Sequence, residues 1–242
     1  MVLPKIHLIN LKHMNMKISF YIFCLFAVGL LSCELDNYDA PTASFSGQFI
    51  DAQTGALVEQ DLINGTVIQL AEHGYDPVGL QYLIVKNDGT FENKLLFENT
   101  YTVQPVRGNF YPVDAQELKI GTGTVMDFMV TPYLRIINPQ INYLDGKVTA
   151  TFSVEQSGAS NVRKIGFFAH PNSVVGQPVQ MFSVEKDLNR DVTVDEVFTL
   201  VIDVAANSTI FGKADDFYFR IGAIANAAES KYNYVSAERI TL

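Results

Sequence analysis

The chain has 242 residues, which suits one large domain or two ordinary ones, and its formal net charge is −9. An acidic protein surface repels the phosphates of nucleic acids and the headgroups of anionic lipids. The charge therefore excludes nucleic acid as an expected partner and favours a neutral one.

The amino-terminal segment has the form of an export signal. An uncharged apolar run over residues 18–31 follows Lys17 and is too short for a membrane-spanning helix, which needs about 20 apolar residues. A positive start, a short apolar core and a small residue before the cut are typical of a secretory signal. Residues 30–33, Leu-Leu-Ser-Cys, resemble a bacterial lipobox, whose cysteine is lipidated and becomes the new amino terminus. We therefore expect a signal peptide at residues 1–32 and a lipid on Cys33.

The segment before Cys33 is longer than a signal peptide requires. The sequence from Met16 to Cys33 is a complete signal by itself, so we expect translation to begin at Met14 or Met16. Cleavage removes Cys24, three lysines and no acidic residue, which shifts the net charge from −9 to −12. With Cys33 lipidated, no cysteine remains for a disulfide, a nucleophile or a metal site.

Residues 33–41 form an acidic tether behind the expected anchor, with Glu34, Asp36 and Asp39. The tether resembles the signal that sends Sus-type lipoproteins of Gram-negative bacteria to the outer face of the outer membrane. This resemblance implies an outer-membrane protein that faces the cell exterior. The alternative is an ordinary solvated linker.

Beyond the tether, apolar and polar residues alternate, as they do in half-buried strands. In residues 147–155, KVTATFSVE, every second residue is apolar, and glycine- and aspartate-rich turn segments separate this run from others like it. Pro132 and Pro139 mark a connection, because proline cannot donate a hydrogen bond inside a sheet. We predict an all-β chain with two antiparallel β-sandwich domains in tandem, at residues 42–132 and 140–242, joined by a linker at 133–139.

Two motifs in the first domain point to a known type of sandwich. Asp51, Thr54 and Gly55 form a D-x-x-T-G turn, and Asp88-Gly89 follows Asn87 in a tight hairpin turn. With the strands around them they resemble the carboxypeptidase regulatory-like domain, a transthyretin-like sandwich. The end of the second domain resembles the closing hairpin of an immunoglobulin- or fibronectin-like domain.

The full order of signal, tether and two sandwiches resembles surface lipoproteins encoded beside SusC/SusD-type glycan-uptake pairs. This resemblance implies a non-enzymatic protein that supports the capture and uptake of carbohydrate and has the transporter pair and a glycan as partners. A structural spacer or an adhesin-like protein-interaction module is the alternative.

The residues themselves carry no catalytic pattern. Only His73 and His170 lie beyond the expected signal, each is alone, and no metal-binding, serine-nucleophile or phosphate-loop motif is present. We therefore expect no enzymatic activity, no metal and no cofactor.

Aromatic side chains are the candidates for sugar contact, because an aromatic ring can stack on a pyranose while a tyrosine hydroxyl stays polar. The sequence offers two pairs near loops, with Tyr75 and Tyr82 as a weaker third cluster; the two pairs are Phe110 with Tyr111 and Tyr232 with Tyr234. Structural packing is the alternative for each of these side chains.

Overall fold

A computed structural model describes residues 40–242 of the chain. The expected signal peptide, the lipidation site Cys33 and the tether up to Asp39 lie outside the described residues. Within residues 40–242 no helix is long and apolar enough to cross a membrane.

The first half of this part of the chain folds into two facing sheets. In one sheet β1 pairs antiparallel with β4 and parallel with the short strands β7 and β8. The other sheet has the strand order β3-β2-β5-β6 and is antiparallel throughout. The bounds are β1 (Ala43–Asp51), β2 (Val67–Glu72), β3 (Leu80–Ile84), β4 (Thr90–Leu96), β5 (Asn99–Arg107), β6 (Gln116–Ile120), β7 (Thr124–Val125) and β8 (Phe128–Val130).

Aromatic rings fill the space between these two sheets. Phe49 lies at the centre of the cluster, with its ring centroid 4.9 Å from that of Phe128 and 6.0 Å from that of Phe91. The predicted tight turn is present: Gly89 has a φ of 84°, and the Asp88 carboxylate accepts the N–H and the hydroxyl of Thr90. It does not close a hairpin, because β3 and β4 on either side of it belong to different sheets.

The second half forms a second pair of sheets with a separate core. One sheet has the order β13-β10-β9; the other has the order β12-β11-β14-β15, with β16 also paired to β14. The apolar face predicted for residues 147–155 is buried, as expected. The bounds are β9 (Leu134–Leu144), β10 (Lys147–Gln156), β11 (Val162–His170), β12 (Phe182–Arg190), β13 (Phe198–Asp203), α1 (Ser208–Phe211), β14 (Asp216–Ala225), β15 (Tyr232–Tyr234) and β16 (Glu238–Thr241). The prediction of two antiparallel β-sandwich domains is confirmed.

The segment at 133–139, expected to be a linker, is almost entirely strand. β9 pairs with β10 from Leu134 onward, and the register shifts between Thr151 and Ser153, opposite Pro139. Because β9 is the edge strand of its sheet, a bulge there tolerates a residue that cannot donate to the ladder. Proline at this position therefore marks a bulge within a strand.

Buried arginines join the two sandwiches within the compact unit Pro41–Leu242. Arg135 of β9 makes a two-pronged pair with the Asp51 carboxylate, at 2.5 and 2.8 Å. Asp51 also accepts hydrogen bonds from the N–H of Gln53 and the hydroxyl of Thr54, so the predicted D-x-x-T-G turn is tied to the second sandwich. Burial alone would raise the pKa of Asp51, but these hydrogen bonds lower the pKa to about 2.

Arg220 of β14 is the second link and is 1% exposed. Its five N–H donors are all used: four bonds go to backbone carbonyls and one, of 2.6 Å, goes to Glu59 of the first sandwich. Its guanidinium also lies 4.2 Å from the centroid of the Tyr234 ring. Asn109 and Asn233 exchange further buried hydrogen bonds with the backbone across the same junction.

Candidate functional site

The first predicted aromatic pair lies inside the protein. Phe110 is 4% exposed and its ring stacks on Phe49 at 5.1 Å, so it packs in the first core. Tyr111 is half-buried against Tyr133, with ring centroids 4.5 Å apart. Phe110 therefore has no free face for a sugar, and Tyr111 offers at most part of its ring.

The second predicted pair is also buried, in a small third cluster with Phe168, Val175 and Ile224. Tyr234 packs under Arg220, and its hydroxyl accepts the N–H of Gln177 at 2.9 Å. The Tyr232 hydroxyl donates to Glu185 at 2.5 Å, and burial raises the pKa of Tyr232. Tyr234 is structural, whereas the edge of Tyr232 lines an open cleft.

The cluster ranked lowest from the sequence is the exposed one. Tyr82, in β3, is 57% exposed, and Tyr75, in the loop before that strand, is 61% exposed. Leu80 and Ile84 flank Tyr82 on the same face of the strand and are also about half exposed. An apolar, aromatic strip therefore faces solvent at the edge of the first sandwich.

Cross-strand pairing puts polar side chains beside this strip. Gln69 of β2 is directly opposite Tyr82 on one side and Gln104 of β5 on the other. Directly paired residues in a sheet point to the same face, so the three side chains form one row on the outside of the sandwich. We call this surface, made by Leu80, Tyr82, Ile84, Gln69 and Gln104, the tyrosine face.

The polar groups of the tyrosine face have hydrogen-bonding capacity to spare. Among residues 40–242 the Gln69 amide makes no side-chain hydrogen bond, and Gln104 makes one long bond of 3.3 Å to the Val113 carbonyl. In the next row, Thr102 bonds the His73 ring at 2.8 Å. The face continues into a shallow depression of about 380 Å³ between Tyr75, Pro77 and Leu80.

A second concave surface is a cleft of about 520 Å³ where the two sandwiches meet. Asp61 and Asn64 line it from the first sandwich, and side chains of β11, β12 and β15 line it from the second. Burial raises the pKa of Asp61 to about 6, against the hydrogen bond from Tyr234 and the positive charges of Arg220 and Lys231, which lower it. Most of the lining side chains are polar or charged, which suits a hydrated ligand.

Metal binding finds no support in the part of the chain that the structure describes, where no group of three or more histidine, cysteine or carboxylate side chains is placed to hold an ion. The two histidines of residues 40–242 lie apart in separate local interactions: His73 bonds Thr102, and His170 accepts the N–H of Asn172.

These features define a class of protein: two β-sandwiches joined by buried arginines, with one open aromatic face and one polar cleft. The chain belongs to the DUF3823 family. This family is described as a protein of unknown function, and the profile of its N-terminal domain matches residues 43–131. The profile of its C-terminal domain, also of unknown function, matches residues 134–239.

Solved structures resemble the chain over its two sandwiches. A candidate carbohydrate-binding protein from Bacteroides uniformis is 31% identical, with a TM-score of 0.78 over 84% of this chain and 100% of that one. A DUF3823 family protein from Parabacteroides merdae is 21% identical, with a TM-score of 0.72 over the same shares. A third, from Bacteroides ovatus, is also 21% identical, with a TM-score of 0.67 and the same coverage. No curated protein matches the chain.

Proposed function

We propose that this protein binds carbohydrate through the tyrosine face and has no enzymatic activity. The observation that carries the proposal is the row of Tyr82, Gln69 and Gln104 on an open sheet face. The ring offers an apolar surface to the C–H face of a pyranose, and the two amides offer donors and acceptors to its hydroxyls.

The size of the face suits a short stretch of a glycan chain. Adjacent strands lie about 4.8 Å apart, so a row across three strands extends roughly 10 Å, which is comparable to a disaccharide. The 31% identical Bacteroides uniformis protein, a candidate carbohydrate-binding protein, supports the same function for this chain. We also propose the finer domain types: the first sandwich is a carboxypeptidase regulatory-like domain, and the second is an immunoglobulin-like domain.

The test is the substitution Tyr82→Ala, measured by affinity electrophoresis in gels that contain soluble polysaccharides. We expect the wild-type protein to be retarded by at least one polysaccharide. An aromatic contact is worth about 0.5–1.5 kcal/mol beyond the area it buries, so the substitution should weaken binding roughly tenfold. Because Tyr82 is largely exposed, the melting temperature should hardly change.

The matched control is Tyr143→Ala, which removes a partly exposed tyrosine from β9 of the other sandwich. This variant should bind as the wild type does. Equal weakening by both substitutions would contradict a specific role for the tyrosine face. Retardation by none of the polysaccharides would favour the alternative of a spacer or a protein-interaction module.

We also propose that the protein is a lipoprotein on the outer face of the outer membrane, beside a SusC/SusD-type pair. The support is the lipobox-like segment that ends at Cys33 and the acidic tether behind it.

Cells that express Cys33→Ala should not label the protein with a clickable fatty acid, whereas wild-type cells should. Protease added to intact cells should digest the wild-type protein, and the transporter pair should copurify with it. Label on the substituted protein would refute the lipid site, and protection in intact cells would place the protein inside.

A further inference from the structure

The polar cleft between the sandwiches has a charge arrangement that the tyrosine face lacks. We call it the junction cleft and define it by Asp61 and Asn64 of the first sandwich and by Arg163, Lys164, Lys231 and Tyr232 of the second. Its volume of about 520 Å³ lies within the range of small-molecule sites.

A β-bulge in β11 shapes the wall of the junction cleft. Val162 pairs with Ala225 and Lys164 pairs with Ile224, so Arg163 is an extra residue without a partner in the ladder of β14. Consecutive side chains of a regular strand point to opposite faces, but a bulge redirects one of them. The bulge thus lets Arg163 and Lys164 line the same cleft.

Three cationic and three carboxylate side chains line the cleft, and among these cations only Lys164 forms an ion pair. Lys164 lies 3.5 Å from Glu185 and 3.6 Å from Asp187, so its charge is balanced within the protein. Arg163 and Lys231 form no ion pair and no side-chain hydrogen bond with any residue in the range 40–242. They line the cleft with unused donors, on a chain whose net charge is otherwise negative.

The remaining walls carry the carboxylates of Asp61, Glu185 and Asp187 together with neutral hydrogen-bonding groups. Asn64 and Gln177 contribute amides, and the edge of Tyr232 lies against Ile224 across the strand pair. Gly222 makes room for both tyrosine rings of β15: a Cβ at that position would lie 2.7 Å from the Tyr234 ring and 3.0 Å from the Tyr232 ring. Such a cleft can surround a ring that carries several hydroxyls and one negative charge.

We propose that the junction cleft binds an acidic sugar, with Arg163 and Lys231 contacting its anionic group and the amides contacting its hydroxyls. The anionic group is a uronate carboxylate or a sulfate ester, and cationic side chains recognise both with charge-assisted hydrogen bonds. This inference rests on the proposed carbohydrate binding and names the class of glycan. It also modifies the expectation of a neutral partner, because two cations without an ion pair line the cleft of a chain that is acidic overall.

The experiment compares three probes by titration calorimetry with the folded protein: a galacturonic acid tetramer, the same tetramer fully methyl-esterified, and a sulfated galactan tetramer. We expect an acidic probe to bind at least about tenfold more tightly than the neutral ester. This preference should shrink as salt is added, because screening weakens exposed charge pairs. The stronger of the two acidic probes identifies the anionic group.

The substitutions Arg163→Gln and Lys231→Gln together should abolish the preference for the acidic probe. The double substitution Lys86→Gln and Lys213→Gln, at exposed lysines away from the cleft, changes the net charge equally and should preserve it. Equal affinity for all three probes, or a preference that survives in the first variant, would overturn the inference. If no tetramer binds while neutral polysaccharides still retard the protein through Tyr82, the acidic-sugar inference is refuted and the proposed function stands.

Discussion

Two buried aspartates of the first sandwich show how environment sets the behaviour of the same side chain. Asp51 is paired with Arg135 and bonded by two further donors, which lower its pKa to about 2. Asp61 is buried at the edge of the junction cleft, and burial raises its pKa to about 6. Asp51 therefore stabilises the folded state above about pH 4, and this stabilisation is lost as the pH falls towards 2. Asp61 affects the free energy of unfolding at higher pH and in the opposite direction, because its contribution to stability is lost as the pH rises towards 6.

The substitution Asp61→Asn should flatten the dependence of stability on pH between 4 and 7. The unfolded chain releases the Asp61 proton near pH 4, whereas the folded protein retains it to about pH 6, so stability falls across this interval. The difference between the two pKa values corresponds to a loss of roughly 2–3 kcal/mol in the free energy of unfolding. This loss is complete once the pH is above 6. Asparagine keeps the shape of the side chain and removes the titration.

Urea unfolding at pH 4 and at pH 7 measures this effect directly. The wild type should lose more stability than the Asp61→Asn variant between the two pH values, by the amount given above. Asp114→Asn, at an exposed aspartate, is the control and should follow the wild type. Parallel pH profiles for Asp61→Asn and the wild type would show that burial does not raise the pKa of Asp61 in this way.

At the scale of strands, the sequence predicts regular elements well and irregular ones poorly. The alternation in β10 and the tight turn at Gly89 depend on local chemistry, and both are found, although the turn connects two sheets and does not form a hairpin. The bulge that carries β9 past Pro139 depends on β9 being an edge strand, which sequence alone does not reveal. The bulge at Arg163 has no local signature at all.

The exposure of Tyr82 has a related explanation. Apart from Gln81, the run from Leu80 to Val85 is apolar on both faces, a pattern usually found in strands that are buried on both sides. In the folded protein Leu83 and Val85 fill the core, whereas Leu80 and Tyr82 remain exposed. An apolar outer face on an edge strand is the signal in the sequence that favours this exposed strip.

The opposite error concerns the second aromatic pair. A polar hairpin with Tyr232 and Tyr234 resembles an exposed loop end in the sequence. In the structure Arg220 and the loops carrying Asp61 and Val175 cover this face of the sheet. Burial here depends on the neighbouring sandwich, so no pattern within the strand could predict it.

At the scale of the whole molecule, the two sandwiches have separate cores but share a polar junction. The hydrophobic clusters of the two halves contain no residue in common. Arg135, Arg220, Asn109 and Asn233 supply the buried hydrogen bonds between them. The junction cleft lies at this boundary, so the geometry of a site there depends on both sandwiches being held together.

Arg220→Met should therefore destabilise the whole protein. Methionine fills part of the volume but makes none of the five hydrogen bonds that Arg220 donates to the Glu59 carboxylate and to four backbone carbonyls. Removing one partner of a buried ion pair typically costs about 3–5 kcal/mol. For a unit of about 200 residues this corresponds to a fall of roughly 10 °C in melting temperature.

Arg239→Met provides the matched control, because Arg239 also pairs with a carboxylate, that of Asp216, but at the surface. Exposed ion pairs contribute little, so the melting temperature of Arg239→Met should remain close to that of the wild type.

Calorimetry adds a second readout. The wild type should melt in one transition because the junction couples the sandwiches, and Arg220→Met should broaden or split this transition. Similar melting of the two variants, each in a single sharp transition, would mean that contacts other than Arg220 hold the sandwiches together.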